Sequence, residues 1–393
     1  MLKRKLLLTA LFVLSLSLGS CGSNNRSDTV TAFDWRSYLY TLLTTEYLWA
    51  DDVKKDVNLS KYTSQNQMIA DLKSPHDKWS VVITEKQFMD FMNQSSAGFG
   101  FSYNSEFVIK HIVKGNQVPA LNKLRRGDRI TKLDGENITQ ELLQRKKASA
   151  SEVAFTVMRQ GTIRTVMVAP KVYSYDAAAS MIFTDNGTRY GYISYDSFSG
   201  SSQELTKIFK GFAEAHIEEL IVDLRYNGGG SLATASILLE HIVKSHPGER
   251  QFYVDWNANN KSRNDNYTFE NTSEHNGDEL DMKRVAFIVT KGSASASEAV
   301  ISGLKPYLGD ANVITVGTNT HGKPVGMQAK RADGNIYLLI NFIVKNNANQ
   351  TTPFEGYTPT CTATDDLSHP LGDADEDMLK TAIAYLRTGT CLH

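Results

Sequence analysis

The chain of 393 residues is 41% hydrophobic and 22% charged, with 42 Lys+Arg against 43 Asp+Glu and a formal net charge of −1. That composition excludes a disordered or collagen-like chain, and without a basic excess nothing supports nucleic-acid binding. Three cysteines are too few for a disulfide-built scaffold or a four-cysteine zinc site, and the length suggests two or three domains.

Lys3, Arg4 and Lys5 precede an apolar run from Leu6 to Leu18. A helix needs about 20 such residues to cross a bilayer core of ~30 Å, so the run has the proportions of a secretory signal. It ends in Gly19-Ser20-Cys21, small residues before a cysteine that resemble a bacterial lipobox. The resemblance implies cleavage before Cys21, a lipid on its thiol and membrane attachment through that lipid. Residues 1–21 are then signal peptide and lipidated cysteine, and the polar residues 22–31 a tether. The product is an exported bacterial lipoprotein of the cell envelope. The remaining cysteines, Cys361 and Cys391, then sit in an oxidising setting. They could pair, closing a loop of about 30 residues worth roughly 3–4 kcal/mol in the chain-entropy model.

Residues 32–95 read as a helical segment. Trp35, Tyr38, Leu39, Leu42, Leu43, Tyr47 and Leu48 recur at three- and four-residue spacings, one face of an amphipathic helix. Ser74-Pro75-His76-Asp77 breaks the pattern, and Glu85 to Met92 reads as a further short helix. Residues 96–172 are strand-rich, from Gly98-Phe99-Gly100-Phe101 through Gly127-Asp128-Arg129-Ile130 and Asp134-Gly135-Glu136 to strands at Val153–Arg159 and Thr165–Val168. The order of these elements resembles a PDZ domain. By that resemblance, the backbone N–H groups of Gly98, Phe99, Gly100 and Phe101 hold a peptide's terminal carboxylate, and an edge strand pairs with the peptide. The alternative is that the glycines only make a turn before a strand.

Residues 173–393 alternate strands and helices, which implies an α/β sheet with parallel segments. The strands are Tyr190–Tyr195, Leu220–Leu224, Val285–Thr290 and Val313–Gly317. Helices are read at Ser202–Ile217, Leu232–Lys244, from Ser297 onward, and Met378–Leu386. The polar stretch 255–282 reads as a surface excursion.

The chemistry concentrates in Gly292-Ser293-Ala294-Ser295-Ala296-Ser297-Glu298, between an apolar strand and a helix. A hydroxyl lifted at such a turn can attack a carbonyl while helix N–H groups stabilise the oxyanion. Ala148-Ser149-Ala150-Ser151-Glu152 has the residue types of positions 294–298 but no apolar strand before it, so placement decides. A serine needs a base. Thr320-His321-Gly322-Lys323 follows the strand Val313–Gly317, and a buried lysine can be neutral enough to serve. The turn Gly228-Gly229-Gly230 lacks the Gly-Lys-Ser/Thr ending of a P-loop and suits an oxyanion hole if it lies beside Ser295.

Together these motifs, in this order, resemble the carboxy-terminal processing proteases, also called tail-specific peptidases. The resemblance implies an α/β multidomain protein: a helical N-terminal segment, a PDZ-like β-rich domain and an α/β peptidase core with a mixed sheet. It implies Ser295 as nucleophile, Lys323 as general base, Gln328 as the residue orienting the lysine amine, and Gly230 and Ala296 as oxyanion-hole donors. The family usually places that glutamine four residues after the lysine, where this chain has Met327, and Pro324 directly follows Lys323. A related branch uses Ser, His and Glu, which leaves His321 as an alternative base. Glu298 reads as electrostatic support for a helix N-terminus. The reading is a serine endopeptidase acting on protein or peptide substrates, with no metal and no organic cofactor implied. A non-catalytic peptide-binding protein on the same scaffold is the first alternative; a hydrolase of small esters or polysaccharides is the second.

Overall fold

The computed structural model describes residues 33–149, 151–200, 202–244, 246–270 and 279–392. The signal segment, Cys21 and the tether at 22–31 lie outside them. The apolar spacing read from Trp35 onward forms α1 (Trp35–Thr45), which buries Leu39, Leu42 and Leu43. Ser64 caps α2 (Gln65–Leu72). The segment is not purely helical, however. Val81–Thr84 is a strand, β1, β-branched at every position and therefore suited to a pleat. It pairs antiparallel with residues 335–338, near the other end of the chain. Directly after it, Thr84 and Gln87 form a reciprocal capping box that starts α3 (Glu85–Met92).

The next unit holds β2 (Ser95–Gly98), β3 (Phe101–Tyr103), β4 (Ile109–Ile112), β5 (Arg129–Leu133) and β6 (Glu136–Asn137). It continues with α4 (Gln140–Ala148), β7 (Val153–Arg159), β8 (Thr162–Val168) and β9 (Lys171–Ser174). Pairing of β2 with β9 closes the unit on itself. Phe99, Ile130, Leu133, Leu142, Phe155 and Val157 make a core of its own. Helix α4 buries only Leu142 and Leu143, too few apolar positions to announce a helix in the residue order. Ser149 is its exposed C-cap, so the second Ala-Ser-Ala-Ser-Glu stretch follows a helix instead of opening one.

The core contains β10 (Ala178–Asp185), β11 (Thr188–Tyr195), α5 (Gln203–Glu214), β12 (Glu219–Asp223) and α6 (Leu232–Ile242). Then come β13 (Arg250–Trp256), β14 (Asp265–Thr268), β15 (Val285–Val289), α7 (Ala296–Leu308) and β16 (Val313–Gly317). It ends with β17 (Val325–Ala332), β18 (Asn335–Asn346), β19 (Cys361–Thr362) and α8 (Asp377–Thr388). Six strands form a mixed sheet in the order β10-β11-β12-β15-β16-β19, antiparallel only at the β10–β11 pair. Every residue of β12, β15 and β16 is buried, as in strands covered on both faces. Phe209 of α5, Leu239 of α6 and Val300 of α7 pack on one face; Met378, Leu379 and Ala382 of α8 pack on the other.

A second sheet runs β1-β18-β13-β14, with β17 also paired to β18. The polar stretch expected as a surface excursion therefore contributes strand β14. Leu39, Leu43, Tyr47 and Met68 pack against Val325, Tyr337 and Ile340, so the N-terminal segment is built onto this sheet. Cys361 and Cys391 are joined by a disulfide with Cα atoms 5.5 Å apart, tying β19 to the chain beyond α8.

Candidate active site

The strands β12, β15 and β16 are parallel neighbours, so the turns that leave them emerge at one edge of the sheet. Those turns carry Gly228-Gly229-Gly230, Ser295 and Lys323. They are locked to one another by hydrogen bonds. The Asn227 carbonyl accepts from Ala294 N–H at 3.1 Å and from Ser297 Oγ at 2.9 Å. The Asn227 side chain donates to Tyr195 O and accepts from Gly229 N–H, both at 2.9 Å. Ser293 Oγ donates to Leu224 O at 2.7 Å.

Ser295 is the N-cap of α7 and has φ 58° and ψ −113°. Few non-glycine residues hold a positive φ, and such strain persists only where the surroundings over-determine it. Gly229 supplies part of that confinement: a Cβ there would lie 2.8 Å from Ser295 Cβ and 2.8 Å from Ala294 O. Gly230 bridges to Phe198, and a Cβ on it would stand 2.5 Å from the Phe198 carbonyl carbon. Among the described residues, neither Gly230 N–H nor Ala296 N–H has a hydrogen-bond partner. Ala296 follows Ser295 in the chain and Gly230 lines the same cavity, so both N–H groups are open to an oxyanion.

Glu298 is completely buried. Its Oε2 accepts from Ser295 N–H at 3.0 Å and from Lys323 N–H at 2.9 Å. Its Oε1 accepts from Thr320 Oγ1 at 2.6 Å and Gly322 N–H at 2.7 Å. One carboxylate thus fastens the serine turn and the lysine turn through the same oxygen. In the residue order alone, Glu298 reads only as support for a helix N-terminus. The Ser-x-x-Glu spacing is a capping-box signal, but nothing local announces that Thr320, Gly322 and Lys323 share the acceptor.

Lys323 and Ser295 line one cavity of about 650 Å³. Burial pushes the Lys323 amine below the ordinary lysine value, against the opposing pull of Asp77 and Glu298. Asp77, in the segment that reads only as a break between helices, is buried. It accepts from Tyr47 Oη at 2.8 Å, Trp79 N–H at 2.8 Å and Ser80 N–H at 2.9 Å. The remaining cavity wall is mainly apolar, with Val81 and Ile83 from β1, Phe88, Phe91 and Met92 from α3, and Leu338 and Phe342 from β18.

Gln328 also lines this cavity but faces another partner. Its side-chain carbonyl accepts from the Arg263 guanidinium, and its backbone N–H donates to Asn341 Oδ1 at 2.7 Å. Among the described residues it makes no hydrogen bond to Lys323, so the orienting contact expected of it is not made here. The physical reason is local: Arg263, stacked over Trp256 at 3.7 Å and paired with Glu46, presents a fixed cation to the amide. His321 is exposed and also occupied. Its Nε2 accepts from Trp79 Nε1 at 3.1 Å, and its Nδ1 lies 3.3 Å from Lys291 O. Those contacts use both ring nitrogens away from the serine.

Beneath the glycine turn, Arg225 is buried and paired with Asp223, Glu376 and Asp365. Asp223 also accepts from Tyr192 Oη at 2.8 Å. The charged residues of Asp223-Leu224-Arg225 are therefore scaffold for the turn. Among the described residues, no three His, Cys, Asp or Glu side chains are grouped to hold a metal ion.

A strained serine at a helix N-terminus, two unengaged N–H groups and a desolvated lysine define an α/β protein with a nucleophile site suited to acyl transfer. Residues 189–362 match the model of peptidase family S41, and residues 36–81 that of the peptidase S41 N-terminal domain. The chain is 27% identical over 342 residues to the carboxy-terminal processing protease CtpB of Bacillus subtilis, a match covering 81% of this chain and 65% of that protein. It is 27% identical over 275 residues to the tail-specific protease of Haemophilus influenzae, covering 65% of this chain and 37% of that one. The chain thus spans less than two thirds of either relative. A crystal structure of an S41 protease from Bacteroides fragilis is similar at TM-score 0.78 and 21% identity, over 90% of this chain and 97% of that one. The photosystem II D1 C-terminal processing protease is similar at TM-score 0.52 and 16% identity, over 84% of this chain and 92% of that one. The two structures share the fold. The two S41 models together take in more than half of the chain, which belongs to peptidase family S41.

Proposed function

We propose that the protein is a serine endopeptidase that cleaves protein substrates with Ser295 as nucleophile and Lys323 as general base. The observation that carries this reading is the shared Glu298 oxygen, which binds the backbone of both residues at the mouth of one cavity. The neutral Lys323 amine takes the Ser295 Oγ proton as Oγ bonds to the scissile carbonyl carbon. The oxyanion is met by Gly230 N–H and Ala296 N–H. The lysine then returns that proton to the departing amine, leaving an acyl-serine. Water, deprotonated by the same lysine, attacks the acyl carbon; the C–Oγ bond breaks, the lysine returns the proton to Ser295 Oγ, and the acid product leaves. The position of Glu298 on the backbones of Ser295 and Lys323 makes it a positioning residue.

The β-rich unit around residues 96–172 captures a protein's C-terminal tail or an unfolded segment in the manner of a PDZ domain, through Gly98 to Phe101. The resemblance of Gly19-Ser20-Cys21 to a lipobox supports an envelope protein held to a membrane by a lipid on Cys21. The apolar wall of the cavity suits apolar substrate side chains beside the scissile bond.

The test combines a serine-acylating probe with casein digestion. Labelling should map to Ser295, and casein should be cleaved by the wild type but not by Ser295→Ala or Lys323→Arg, since a guanidinium cannot act as base. Retained turnover in Lys323→Arg moves the base elsewhere. If wild type and Ser295→Ala both bind peptide and neither cleaves, the chain is a binding protein on a peptidase scaffold. Metabolic labelling with a palmitate analogue, lost in Cys21→Ala, tests the anchor.

A further inference from the structure

The cavity that opens at Ser295 has a branch with a direction. Ser295, Ala299 and Ser302 all line it. They stand at i, i+4 and i+7 from the N-cap of α7, and so on one face of that helix. At 1.5 Å of rise per residue, Ser302 lies about 10 Å beyond the nucleophile. On β18, Phe342, Val344 and Asn346 are alternate residues, and all three line the same cavity. The branch reaches a row of cross-strand partners, Asn346 opposite Phe252 and Phe252 opposite Tyr267, each in the cavity wall.

The far end of the branch is polar without a free charge. Ser302 and Thr352 are buried, line the cavity and both interact with the Tyr357 hydroxyl. A hydroxyl has one donor and two acceptor lone pairs, so each keeps capacity for a further partner. Asn346 is engaged: its Nδ2 donates to Ser302 O at 3.0 Å and its Oδ1 accepts from Gln350 N–H at 2.9 Å. Lys345, also in the lining, is paired with Asp255 at 2.7 Å, so a charged side chain entering here meets no free counter-ion. The carbon attacked by Ser295 Oγ is bonded to the Cα of the residue that supplies the scissile carbonyl. That residue's side chain therefore starts at the mouth of the branch. We propose that the branch along α7 takes this side chain and selects tyrosine, with the ring among Phe342, Val344 and Phe252 and the phenol hydroxyl on Ser302 and Thr352. Alanine or valine would leave most of the branch empty. Phenylalanine would fill it and leave the hydroxyls without their added partner. The inference rests on the peptidase reading above and names the residue after which the chain cuts.

The experiment digests casein with the full chain as wild type, Ser302→Ala and Ser302→Leu, and maps the cut bonds by mass spectrometry. Wild type should cut after tyrosine about fivefold more often than the tyrosine content of casein predicts. Two decapeptides that differ only in Tyr or Phe before a mapped bond then give kcat/KM, and the Tyr peptide should lead by about tenfold. Ser302→Ala should reduce that lead to about two- or threefold while the Phe peptide changes little. Ser302→Leu fills the far end and should move the cuts to alanine and valine. Wild-type cuts after small residues, or tyrosine enriched beyond the cut bond instead of before it, overturn the assignment of the branch. A Tyr-over-Phe ratio unmoved in both Ser302→Ala and Thr352→Val overturns the role of the hydroxyls. Casein left intact by the wild type overturns the peptidase reading itself, and this inference with it.

Discussion

Water stabilises a charged amine, so a lysine acts as base only where burial withdraws that stabilisation. Lys323 meets this condition, its pKa lowered by burial while Asp77 and Glu298 pull it back. The rate kcat/KM should therefore rise with pH through a midpoint below the ~10.4 of a free lysine. A midpoint at or above that value would remove Lys323 from the role. The same shift has a sign for stability. Between the folded and unfolded pKa values the unfolded chain binds one more proton, so the lysine costs stability at low pH and the cost is relieved as pH rises. Urea denaturation of wild type and Lys323→Met should then give curves that converge as pH rises toward the ordinary lysine value. Glu298→Gln makes a separate prediction. An amide can present only one acceptor oxygen to four donors, so two N–H or O–H groups lose their partner and its own NH₂ faces them. The loss should be about 2–3 kcal/mol, with kcat falling more than KM changes, read from steady-state kinetics beside thermal melts.

At the scale of elements, the three turns on adjacent parallel strands are the working unit, and Gly229 is where the glycine turn meets the serine turn. Gly229→Ala would place a methyl group against Ser295 at a φ of +102°, unfavourable for any side chain. Turnover should fall at least a hundredfold while the Cys361–Cys391 bond and the rest of the fold persist, which kinetics and circular dichroism would show together. Much of this unit is legible in the residue order. Apolar runs such as Val285–Val289 followed by small residues and a helix pattern announce a strand-turn-helix, and Val313–Gly317 places the lysine turn at the same edge. Three features are not legible. The Glu298 bridge joins groups 22–25 residues apart with no local signal. The Arg263–Gln328 contact depends on where Trp256 and Glu46 bring the guanidinium. Strand β1 is four residues long, and its partner lies in another part of the chain.

Across the whole molecule, the disulfide between Cys361 and Cys391 closes a separation of 30 residues. Removing it by Cys361→Ser should cost roughly 3–4 kcal/mol, seen as a lowered melting temperature that reducing agent does not lower further. The wider consequence comes from the pairing of β1 with β18, Val81 opposite Leu338. One strand of the cavity wall leaves the ribosome early and its neighbour in the sheet some 250 residues later. At about 5–20 residues per second that is a lag of at least ten seconds or so. A nascent chain therefore has no finished cavity: the blade has no second edge until nearly all of it has been made.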